Sequence, residues 1–136
     1  MNRASTRTPN ASAVHERIAE LLDDAQRAAE QTDWQAAWAH LEDAHVLSQP
    51  WIRPHIKVHA HMLALGWRQR DVREVIGQIG RIVVAGPGSA TGRYPTGNTG
   101  RSRISAFEPM PIRPDLHALL DDDPRAPDPE RGNATP

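Results

Sequence analysis

The residues best suited to chemistry are histidines, of which the 136-residue chain has seven, alongside no cysteine at all. His55 and His59 are four apart. On a helix they share one face about 6 Å apart, the spacing by which zinc-binding helices present two imidazoles. His40 and His45 lie on the other side of Pro50. If the segments flanking Pro50 form an antiparallel helical hairpin, His45 comes level with His55, and His40 level with His59 one turn away. His40 and His45 are five apart and point about 140° from one another, so both cannot serve one site. The candidate ligand set is therefore His45, His55 and His59. Three imidazoles plus water suit Zn²⁺, and imidazole also suits Ni²⁺ or Cu²⁺. Met62 would add a soft ligand for copper. The competing explanation is that these rings pack at a helix interface, each donating one N–H to a carbonyl or carboxylate, with Glu42 and Asp43 at hand. The intervening Glu of a catalytic HExxH helix is absent.

A second constellation is the Gly-Arg stretch GPGSATGRYPTGNTGRSR. Its glycines let backbone N–H groups approach an anion, and Arg93, Asn98, Arg101 and Arg103 form a candidate phosphate clamp. No Gly-Lys-Ser/Thr follows Gly86 or Gly88, so this is not a phosphate loop of the P-loop kind. A turn-rich connector explains the same glycines. Ser48, Ser89, Ser102 and Ser105 lack a nucleophile-elbow pattern. Without cysteine there is no disulfide framework, thiolate zinc site or cysteine nucleophile.

The elements that would position these residues are helical. Val14, Ile18, Leu21, Leu22, Ala25 and Ala29 recur at three- and four-residue steps, predicting a first helix from near Ser12 to about Gln31. Thr32 and Gln35 read as a capping box opening a second helix, with Trp34, Ala37, Trp38, Leu41, Ala44, Val46 and Leu47 apolar and a stop before Pro50. Trp34 and Trp38 are most simply core. A third helix has Pro54 in its first turn and Ile56, Ala60, Leu63 and Trp67 as its expected buried stripe. Asp71 and Glu74 form a second cap-like pair. They open a fourth helix whose Val72, Val75, Ile76, Ile79, Ile82 and Val83 form a dense apolar stripe, with Gly77 and Gly80 explained by close helix approach. Ala85 to Gly100 reads as loop. Ile104, Phe107, Met110, Pro111 and Ile112 follow as an apolar arm laid back over the helices, ending in a short helix from about Pro114 to Leu120.

The expected organisation is all-α. Residues 1–11 form a flexible N-terminus, residues 12–84 a four-helix domain, residues 85–120 a loop, arm and short helix packed on it, and residues 121–136 a disordered acidic tail. The segment TDWQAAWAHLEDAHVLSQP resembles the second half of a tetratricopeptide repeat, and MLALGWRQRDVREVIGQI echoes it with Asp71 lying 38 residues after Asp33. The fold class implied is two tetratricopeptide-like antiparallel helical hairpins with an irregular C-terminal arm. The stretches AWAHLEDAHVLSQ, HMLALGWRQRDVREVIGQIGRI, PTGNTGRSRISAF and PMPIRPDL also resemble an uncharacterised bacterial family of unknown function. That resemblance carries over no activity.

Charge and hydropathy bound the partners. The formal net charge of −1 gives no basic excess for nucleic acid, although Arg81 to Arg103 holds four Arg and no acid. No stretch has the roughly 18 apolar residues of a membrane helix, and MNRASTRTPNAS does not resemble a secretory signal, so a cytoplasmic location is expected. The leading expectation for function is a non-catalytic helical binding module that recognises a protein segment or self-associates, because two repeats leave open ends that need cover. The alternative is a metal-handling accessory protein using His45, His55 and His59. Third comes an enzyme acting on a phosphorylated or other anionic small molecule.

Overall fold

The computed structural model describes residues 11–92 and 95–121. The expected flexible start, Arg93 and nearly all of the acidic tail lie outside them. Five helices follow in order: α1 (Ala11–Glu30), α2 (Trp34–Ser48), α3 (Ile52–Arg68), α4 (Val72–Thr91) and α5 (Pro114–Asp121). There is no strand among the described residues. The fold is all-α, and none of its helices is long and apolar enough to cross a membrane.

The helices pair as α1 with α2 and α3 with α4, and the two hairpins meet chiefly through α2 against α3. The first hairpin follows its periodicity. All six apolar positions of α1 are buried, as are Ala37, Trp38, Leu41, Ala44, Val46 and Leu47 of α2. The cap differs from the expected box. Thr32 has a positive φ of 59°, and Asp33 caps α2 by accepting the Ala36 N–H at 3.1 Å.

The second hairpin is turned relative to its apolar pattern. In α3 the buried residues are His55, Val58, His59, Met62, Leu65 and Gly66, whereas Ala60 and Trp67 of the expected stripe are exposed. In α4 the reversal is larger. Val72, Ile76, Ile79 and Val83 are 52 to 72% exposed, and the residues turned inward are Glu74, Gln78, Arg81 and Ala85. The two stripes lie on nearly opposite sides of one helix. A polar face is buried here because every member finds hydrogen-bond partners, which removes the penalty that would otherwise drive it outward. Helix α4 also runs about two turns beyond Ala85, where the composition predicts a loop.

Most of those partners come from the segment after α4. Gly77 leaves room for it: a Cβ there would stand 2.2 Å from the Cβ of Ser102. The close approach expected of this glycine is thus to the arm, not to a helix. The arm is held by polar bonds more than by its apolar string, since Phe107 is 84% exposed. Gln49 donates to the Pro95 carbonyl at 2.8 Å and accepts the Gly97 N–H at 3.1 Å. Asn98 donates to the Ser105 and Glu108 carbonyls at 2.9 and 2.7 Å and accepts the Gly100 N–H. Beyond the arm, Leu116 of α5 enters the core, with Ile112, Leu119 and Leu120 packed beside it.

Candidate functional site

Where the hairpins meet, α2 contributes His45 and α3 contributes His55 and His59. All three are at most 6% exposed. Their Nε2 atoms face one another, with His45 to His55 at 3.0 Å and each of these to His59 at 3.2 Å. The reverse sides of two rings fix the protons. His45 Nδ1 lies 2.6 Å from the carbonyl oxygen of Asn98, which can only accept, so Nδ1 carries the hydrogen. His59 Nδ1 lies 2.7 Å from Gln78 Oε1. The Gln78 amide is itself oriented, because its Nε2 donates to Glu74 at 2.7 Å and to the Gly100 carbonyl at 2.8 Å. His59 must therefore donate from Nδ1 as well. In their neutral forms both rings present bare Nε2 lone pairs to the centre.

Burial keeps the rings neutral. It pushes His55 down to about 3 and His59 down to about 4, from an ordinary 6.5, with the neighbouring imidazole adding to the effect on His55. His45 is lowered well below 6.5 by burial first and by the other two rings second. With one proton on His55 Nε2, only one of the two facing lone pairs could be satisfied. A cation satisfies all three nitrogens at once.

Outside the rings lies a supporting chain. Burial works to raise the Glu74 carboxyl, but bonds from Gln78 and from Ser102, with the charge of Arg101, outweigh it and hold Glu74 below 4.5. The Ser102 Oγ and Arg101 Nε reach Glu74 at 2.8 and 3.3 Å. A carboxylate thus orients an amide that orients an imidazole, the kind of outer arrangement that fixes ligand tautomer and ring direction at metal centres. Gly100 closes the near side with a φ of +82°, and a Cβ there would stand 2.6 Å from the His45 ring.

A family model described as a protein of unknown function, DUF3703, matches residues 12–120. The chain belongs to the DUF3703 family. No curated protein and no solved structure matches it. The matched region takes in both hairpins, the arm, the three imidazoles and their supports.

In this DUF3703 chain the other residues singled out by spacing go elsewhere. His40 is half-buried and apart from the cluster, and Met62 belongs to the hydrophobic core. The carboxylates expected to orient the rings do not: Glu42 pairs with Arg101 at 3.3 Å and Asp43 with Arg113 at 2.9 Å. The anion clamp is not assembled by the residues described. Asn98 is buried in arm carbonyls, Arg103 reaches Asp71 at 3.7 Å, and Arg101 bridges Glu42 and Glu74 over the Trp38 ring. These arginines are already committed to protein carboxylates. Arg93 lies outside the described residues. The sequence reasoning missed Glu74, Gln78 and Arg81 as parts of the site. Their signal was a second helical stripe, polar, at three- and four-residue steps opposite the apolar one.

Proposed function

We propose that the protein binds one divalent first-row transition-metal ion through the Nε2 atoms of His45, His55 and His59. The observation that carries this reading is the convergence of three buried, neutral imidazoles at 3.0 to 3.2 Å, two of them with Nδ1 held by Gln78 and the Asn98 carbonyl. A mere packing role gives no reason for bare nitrogens to face one another in a buried site, where unsatisfied acceptors cost about 1–3 kcal/mol each. Neutral nitrogen donors favour Zn²⁺, Ni²⁺ or Cu²⁺ over Mg²⁺ or Ca²⁺, which take oxygen. Equilibrium dialysis against each ion, with elemental analysis, should give one ion per chain, and His55→Ala and His59→Ala should lose it. Uptake at background level in all three proteins removes the reading.

The interaction reading is favoured by a different observation, the outward apolar stripe of α4. We take its occupant to be a second copy. Val72, Ile76, Ile79 and Val83 run along one face, and Gly80, near the middle of the helix, has no atom within 4 Å of where its Cβ would be. A glycine at the midpoint permits close crossing of two α4 helices about a two-fold axis. Sedimentation equilibrium should show a dimer that Ile79→Arg disperses, and a monomer at micromolar concentration would remove this part.

A further inference from the structure

We infer that the metal centre keeps one coordination position open and fills it with a small anion drawn from solvent, held between the ion and Arg81. This deepens the metal reading and rests on it. The first support is the size of the nitrogen triangle. With edges of 3.0 to 3.2 Å, an ion at the usual imidazole distance of about 2.0–2.1 Å sits about 1 Å out of the nitrogen plane, with angles between nitrogens of about 100°. That is a tetrahedral face missing its apex. A trigonal-planar centre would need nitrogens about 3.5 Å apart at the same bond length.

The second support is what lies beside the triangle. All three imidazoles line a cavity of about 100 Å³, walled also by Arg81, Val84, Ala85 and Phe107. Val84 and Phe107 are exposed, so the cavity reaches the surface. A space of that size admits several waters or a small anion.

The third support is charge. Among the described residues no Asp or Glu lines the cavity. Arg81 is 8% exposed, fixed by the Gly100 carbonyl at 3.0 Å and by the Ile104 carbonyl, and lines the same cavity as the three rings. The nearest carboxylate in the chain of contacts, Glu74, stands behind Gln78 and is already bonded to Arg101. A divalent ion on three neutral rings would add two positive charges beside a buried guanidinium. In low dielectric that combination strongly favours an anionic fourth ligand over neutral water. Thiocyanate, azide, bicarbonate and hydroxide have the right charge and size.

Cobalt(II) reports the fourth ligand through its visible spectrum. The protein loaded with one Co²⁺ per chain, as checked by elemental analysis, should show intense four-coordinate bands that shift saturably with azide and with thiocyanate. Arg81→Gln, verified as helical by circular dichroism and loaded equally, should weaken azide binding about tenfold or more. Stoichiometric Co²⁺ with a spectrum indifferent to azide overturns the open position while metal binding stands. Azide affinity unchanged in Arg81→Gln overturns the part assigned to Arg81. Failure of Co²⁺ to bind overturns the metal reading itself.

Discussion

Lowering the pH from 7 to 5 should destabilise the metal-free protein by about 4 kcal/mol. His55 and His59 have an ordinary value of 6.5, which burial depresses to about 3 and about 4 in the folded chain. Between those values the unfolded chain binds protons that the folded chain refuses. Stability contributed by these groups is thus full above 6.5 and is lost as pH falls toward 4 and 3. Each pH unit below 6.5 costs about 1.4 kcal/mol per ring, so at pH 5 each has lost about 2 kcal/mol and the pair about 4 kcal/mol. His45, depressed by the same burial, adds to the loss. Glu42, which burial raises above its ordinary 4.5, works the other way just above that value, and Glu74, lowered, reinforces the loss only below it. Against a total stability of about 5–15 kcal/mol, the change is large. Urea titrations of chelator-treated protein, followed by far-UV circular dichroism at pH 7, 6 and 5, measure it. The double variant His55→Gln, His59→Gln should show a much flatter dependence. Equal unfolding free energies at pH 7 and pH 5, within about 1 kcal/mol, would refute the claim that these rings are buried and neutral.

Three further outcomes follow from the geometry. Gln78→Met keeps all three ligands but frees the His59 tautomer, and should weaken Zn²⁺ binding about 10- to 100-fold by competitive chelator titration while the helical spectrum is retained. Gly100→Ala places a Cβ against the His45 ring at a φ of +82°, and should cost about 2 kcal/mol or more in urea denaturation, whereas Gly92→Ala, with φ +68° and open space around it, should cost about 1 kcal/mol. Arg101→Ala strips a partner from buried Glu74 and the cation from the Trp38 face, so it should destabilise by about 2–3 kcal/mol and alter tryptophan fluorescence.

Much of the fold was legible in residue spacing, and the errors share one cause. Helices α1 and α2 bury apolar residues and little else along most of their length, so period and burial agree. The histidine triangle was legible too, because an i, i+4 pair and a hairpin turning near Pro50 leave few places for a third ring. Helices α3 and α4 break the link between apolar and buried. Each of Glu74, Gln78 and Arg81 has a partner that is distant in sequence and sits in the arm or on α3, and no local pattern reveals that a polar side chain will find one. For the same reason Val72, Ile76, Ile79 and Val83 read as core and stand at the surface. The arm looked like a hydrophobic strap, yet its docking depends on Gln49, Asn98 and backbone carbonyls, groups whose pairing depends on exact loop geometry.

The rings and their supports are drawn from four separate stretches: His45 from α2, His55 and His59 from α3, Gln78 from α4, and the carbonyls of Asn98 and Gly100 from the arm. An ion gripped at the junction would act as a rivet through layers that otherwise meet by side-chain packing and hydrogen bonds. Slow amide exchange should then extend from Thr96 to Ile104 when the rivet is in place and fade when it is withdrawn, although that stretch touches the ion nowhere. Occupancy would be written into the tightness of a loop that supplies none of the ligands.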